Sequence, residues 1–299
     1  MPLTVEQYLR PDVIRQVRRL DLKARFIVEG FLSGLHNSPY HGFSVEFSEH
    51  RKYAPGDDLR QIDWNVYAKT DRFYTKKFQA ETNLDAYLLV DASASMDFAT
   101  EDRMTKMDYA ICLAAAMGYM MIHQQDAVGL AVFSEKIREF LPPRSKRTHL
   151  VNILGTLART RPEGSTGLPA VLHELAERIR RRGLIILLSD LLAEQDAVVD
   201  ALHHLRYRGH DLIIFQIFDH SERVLPFDGP TRFVDPESGE QVQSDPRAIR
   251  AGYIEAIEQF IATYRRECQG VRADFVAVDN AMTFDKALLQ FLVQRKRRF

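Results

Sequence analysis

The chain has 299 residues, enough for one large domain or two modest ones, and its 45% hydrophobic and 27% charged residues are ordinary globular usage, which excludes a disordered or collagen-like chain. Forty basic against 41 acidic side chains leave a formal charge of −1, so no global field is available to hold nucleic acid or an anionic membrane. The longest uncharged apolar stretch, Ala110 to Ile122, falls short of the roughly 18 residues that suggest a membrane span, so none is expected.

Residues 1–83 read as an N-terminal subdomain of irregular or β-rich character. A mixed charged helix is expected from Asp12 to Glu29, a short strand over Phe43–Phe47 from its alternation, and a turn at Tyr53–Asp58. From residue 84 to 299 the texture changes to short apolar runs alternating with helical stripes, the pattern of βα units around a mostly parallel, doubly wound sheet. Strands are expected at 86–90, 127–133, 184–189, 212–218 and 271–278, each nearly uncharged, as strands covered on both faces must be. Leu168, Val171, Leu172, Leu175 and Ile179 mark one helical stripe, and Ile249, Tyr253, Ile257, Phe260 and Tyr264 another. The segment Thr105 to His123 is apolar on all sides and is expected to pack centrally. An acidic residue at Glu6 rather than an apolar signal core, together with two lone thiols at Cys112 and Cys268, predicts a reduced, cytoplasmic protein.

The sharpest chemical signal follows the first strand of the sheet: Asp91-Ala92-Ser93-Ala94-Ser95. In an open α/β sheet, residues just past the carboxyl ends of strands face the crevice where ligands bind. Thr166, in a Gly164–Gly167 loop ahead of a helix, and Asp190, at the end of the next long strand, are expected at the same crevice. One carboxylate and two hydroxyls leaving a strand together are the hard oxygen donors that Mg²⁺ takes alongside retained water.

These residues resemble the metal-ion-dependent adhesion site of von Willebrand factor type A domains. The resemblance implies that Ser93, Ser95 and Thr166 contact a Mg²⁺ or Mn²⁺ ion, that Asp91 and Asp190 act through its waters, and that a partner's carboxylate completes the coordination. Many such domains carry Gly two residues after the last aspartate, where this chain has Leu192. Farther upstream, Gly34-x-His36-x-Ser38, Gly42, Glu46-Phe47, Arg51-x-Tyr53-x-Pro55-Gly56-Asp57-Asp58-x-Arg60-x-Ile62-Asp63-Trp64 and Glu81 are similar to bacterial domain-of-unknown-function family 58. That resemblance implies a metal-dependent protein-binding module, a partner or adaptor of a MoxR-type AAA+ ATPase or its client, with no catalysis of its own.

Competing readings stay open at this level. Asp91 after a first strand also resembles the nucleophile of haloacid dehalogenase-like, Mg-dependent phosphohydrolases, although those want a second acid where Ser93 stands. A purely structural motif without metal, the aspartate capping its own turn, is the third. No phosphate-cradling Gly-x-x-x-x-Gly-Lys run exists, the histidines lack ligand spacing, and the closing Arg295–Arg298 run reads as a solvated end.

Overall fold

The computed structural model describes residues 50–52, 74–76, 85–100 and 103–282. The chain divides into two compact units, Ser38–Asn83 and Met1–Asn37 with Leu84–Phe299. Of the first unit the described residues form one antiparallel pair, β1 (His50–Lys52) and β2 (Tyr74–Lys76). The expected helix at 12–29, the strand at 43–47, the turn at 53–58 and the boundary at residue 83 lie outside the described residues.

The larger unit is a doubly wound, mostly parallel α/β structure. Its elements are β3 (Asp85–Asp91), α1 (Lys106–His123), β4 (Ala127–Phe133), β5 (Ile137–Arg144), α2 (Arg147–Arg159), α3 (Leu168–Arg178), β6 (Leu184–Ser189), α4 (Gln195–Tyr207), β7 (Asp211–Phe218), α5 (His220–Val224), β8 (Thr231–Val234), β9 (Gln241–Ser244), α6 (Pro246–Gly270) and β10 (Asp274–Asp279). The sheet runs β10-β7-β6-β3-β4-β5, with β5 the one antiparallel member and β8–β9 a separate hairpin. Val/Ile/Leu-rich strands suit this arrangement because each must bury both faces. Leu88 and Val90 point into a core shared with α1 and α2, while Tyr87 and Leu89 face α3, α4 and α6.

α1 is buried nearly all round, as its unbroken apolar run predicts, and Thr105 caps it by accepting from the Asp108 amide at 3.0 Å. α3 presents the stripe Leu168, Val171, Leu172 and Leu175 to the core. On α6 the apolar stripe is anchored at its later turns, Ile261, Tyr264 and Cys268, whereas Ile249 is 42% exposed. β5 was not among the expected strands: its Pro142 and Pro143 argue against a central strand, and it takes the edge, where prolines are tolerated.

β3 is hydrogen-bonded to β4 on one side and β6 on the other, and the chain leaves it in one direction and returns on the other. This is the switch point of the sheet, and the crevice lies past the carboxyl ends of β3 and β6. No helix of the described residues is long and apolar enough to cross a membrane.

Candidate functional site

Asp91 ends β3 with no exposed surface. Its Oδ1 accepts the Ser93 amide at 3.0 Å and its Oδ2 accepts the Ser189 hydroxyl at 2.6 Å, so both oxygens are engaged within the fold. Ser93 and Ser95 sit side by side, their hydroxyls 3.1 Å apart, at the start of a single 3₁₀ turn over Ala94–Asp97. Burial, and next the negative charge of Asp190, push the Asp91 carboxyl up to about 7 in spite of the donors around it.

The Thr166 loop is joined to this turn by its backbone. The Ala94 amide donates to the Gly164 carbonyl at 2.8 Å, and the Glu163 amide to the Ala92 carbonyl at 2.9 Å. The other side of the loop is fastened by the Gly167 amide on the Ser134 carbonyl at 2.8 Å. Gly167 is required by space, since a Cβ there would lie 2.1 Å from the Glu135 carbonyl oxygen. The Thr166 hydroxyl oxygen is enclosed without a hydrogen-bond partner, while the Thr166 amide donates to Glu237 at 2.8 Å.

Asp190 follows β6 and is 1% exposed. The next residue, Leu191, takes a left-handed conformation with φ 59°, which its burial, its amide on the Ser189 hydroxyl at 3.0 Å and the Tyr264 hydroxyl on its carbonyl hold in place. The chain therefore turns at a leucine where a glycine would relieve the strain. That turn aims Asp190 at Lys106, whose ammonium lies 2.8 Å from Asp190 and 2.7 Å from Glu222. Burial by itself would lower the Lys106 pKa, but Asp190 and Glu222 more than reverse it and hold it above the ordinary lysine value. Burial lifts the Glu222 carboxyl, with Lys106 opposing.

A third strand-end acid completes the cluster. Asp219 follows β7 and accepts from the Thr100 amide (3.1 Å) and hydroxyl (2.6 Å), the Ser221 amide (2.9 Å) and hydroxyl (2.6 Å), and the Asn280 side-chain amide (2.6 Å). Burial pushes its carboxyl up, but the donors from Ser221, Thr100 and Asn280 outweigh this and bring it down to about 2. Glu222 reaches back to the Asp219 amide at 2.7 Å, closing the capping box of α5.

The structure thus brings Asp91, Ser93 and Ser95 together, bonds the Thr166 loop to them and puts Asp190 within electrostatic reach of Asp91. It does not make a metal centre of them. Among the described residues no group of three or more His, Cys, Asp or Glu is disposed to hold a metal ion. The expectation of bound Mg²⁺ or Mn²⁺ is corrected accordingly, and the physical reason is local. Asp190 is already neutralised by an internal ammonium, Asp91 has given both oxygens to donors of the fold, and the Ser93 and Ser95 hydroxyls are within hydrogen-bond distance of each other. A divalent ion beside them would be repelled by Lys106 and would have to displace those bonds.

Lys106, Glu222 and Asp219 escaped the sequence reading. Asp219 carried a usable signal, standing directly after an apolar strand as Asp91 and Asp190 do. Lys106 carried none, because a lysine at a helix start ordinarily reads as solvated.

Fold and crevice define an open-sheet, doubly wound α/β protein whose strand-end acids are bonded inward. The chain belongs to the family described as "Protein of unknown function DUF58", whose model matches residues 49–261. The uncharacterized protein Mb1516 of Mycobacterium bovis is 28% identical over 295 residues, covering 96% of this chain and 91% of its own length. Among solved structures, the conserved hypothetical protein BatB from Bacteroides thetaiotaomicron shares 16% identity over 72% of this chain and 99% of its own, with a TM-score of 0.44. An aerotolerance-related membrane protein from Bacteroides fragilis shares 18% identity over 71% of this chain and 99% of its own, also at a TM-score of 0.44.

Proposed function

We propose that the chain is a protein-binding module that works without a metal and docks its partner on the rim of the β3–β6 crevice. The supporting observation is the contrast between the crevice and its rim. Asp91, Asp190 and Asp219 are all but fully buried and bonded within the fold, while Phe98 and Leu192, which follow the two neighbouring strand ends, are 37% and 46% exposed. Exposed apolar side chains beside a buried, pre-organised polar floor offer a partner surface to desolvate on docking. Among the readings open to the sequence, a scaffold without metal fits the described residues best.

We further propose no catalysis. A phosphoryl-accepting aspartate must be ionised and able to reach phosphorus, whereas Asp91 has no exposure, two bonded oxygens and a carboxyl lifted to about 7. We propose a MoxR-type AAA+ ATPase or its client as the partner, presenting a carboxylate, in a bacterial cytoplasm, as the resemblance drawn from the sequence implies. Biolayer interferometry between the full chain and the purified MoxR-type ATPase of the same organism tests this. Phe98→Ser and Leu192→Ser each weaken binding about tenfold or more if the rim is the docking surface, while unchanged affinity in both refutes it.

A further inference from the structure

The hairpin β8–β9 reaches the Thr166 loop across 71 positions of sequence, and it does so with a carboxylate. Its connection is built to present that group. Asp235 accepts from the Glu237 amide at 2.9 Å and from the Ser238 hydroxyl, its own amide donates to the Glu240 carbonyl at 2.9 Å, and Gly239 takes φ 75° to close the turn. Glu237 Oε2 then accepts the Thr166 amide at 2.8 Å.

The contact is incomplete. Glu237 Oε1 and Thr166 Oγ1 are both enclosed with no hydrogen-bond partner, so the closed arrangement satisfies one bond and leaves one acceptor and one hydroxyl unmet. Enclosed polar atoms without partners oppose the state that encloses them. Elsewhere the hairpin is lightly held: Val234 and Val242 are 49% and 64% exposed.

From this geometry we infer that the Gly164–Gly167 loop is a carboxylate seat, filled in cis by Glu237, and that an acidic side chain of the partner takes the seat by lifting the hairpin. The inference rests on the binding reading above and adds its regulation: the free protein holds its own competitor. A ligand that satisfies both the Thr166 amide and its hydroxyl outcompetes the internal acid, which satisfies one.

Amide hydrogen exchange on the full chain, followed at Thr166, tests it with wild type, Glu237→Gln and Glu237→Ala. Opening the latch accelerates Thr166 exchange at least about tenfold in Glu237→Ala, with Glu237→Gln between the two, while strands β3 and β6 keep their protection. Acetylated tetraglutamate, but not tetraglutamine, then restores protection at Thr166 in Glu237→Ala at about one tenth of the concentration that wild type requires. Unchanged exchange at Thr166 in Glu237→Ala overturns the latch whatever the docking partner proves to be. Equal response of wild type and Glu237→Ala to the acidic peptide, or none in either, overturns the seat.

Discussion

Lys106 and Asp190, 84 residues apart in sequence, form an ion pair of 2.8 Å with both side chains 1% exposed. The lysine opens α1 and the aspartate follows β6, so the pair ties a helix start to a strand end at the switch point of the sheet. A protein interior accepts two charges only when each compensates the other, and Glu222 supplies the second acceptor.

Lys106→Met removes the ammonium while keeping most of the volume, and leaves Asp190 and Glu222 without their shared cation. The loss is expected at about 3–5 kcal/mol, read from urea unfolding. Adding Asp190→Asn to Lys106→Met removes the stranded charge and restores part of it. With Asp190→Asn alone closing the cycle, a double-variant loss equal to the sum of the two single losses would show that the pair is not coupled.

Asp91 and Asp219 predict opposite pH dependences. The folded Asp91 binds its proton more tightly than the unfolded chain does, so its contribution to stability falls as pH rises from 3.8 to about 7 and is flat above that. Asp91→Asn is neutral throughout and abolishes that decline. Urea midpoints measured across this window for both proteins check the sign.

Asp219 behaves the other way. Its depressed carboxyl contributes stability above 3.8 that is lost as pH falls toward about 2. Asp219→Ala deprives Thr100, Ser221 and Asn280 of their shared acceptor, and is expected to cost more than about 3 kcal/mol at neutral pH, with a weaker acid transition in circular dichroism.

Gly167→Ala drives a methyl into the Glu135 carbonyl. Overpacking of this kind costs about 1–3 kcal/mol and moves the Thr166 loop off Ser134. Thermal melting gives the cost, and chemical-shift changes confined to 134–135 and 163–168 would locate it.

Much of this architecture was legible in the chain. The apolar runs at 127–133 and 184–189 are β4 and β6, and the all-round apolar segment after Thr105 is the central helix. The gathering of Asp91, Ser93, Ser95, the Thr166 loop and Asp190 also followed, because strand-end position and loop context are local signals. What the sequence could not display was how those oxygens are used. Asp91 is bonded to Ser189, 98 positions away, and Lys106 finds Glu222 across 116, and such pairings depend on the closed fold. The same five side chains, read without the lysine, fit a cation site; with it, the cation is a part of the chain. β8–β9 was missed because each strand is only 4 residues long and fully buries none of them, too short a stretch to stand out as an apolar alternation.

We propose that an internal ammonium, not a divalent ion, organises this crevice for binding. That role is tested most directly by measuring affinity for the nucleotide-free MoxR-type ATPase in parallel in excess EDTA and in excess Mg²⁺, for wild type and Lys106→Met. Equal wild-type affinity in both buffers, with Lys106→Met weakened equally in both, is the result predicted. Binding that EDTA abolishes and Mg²⁺ restores would contradict it.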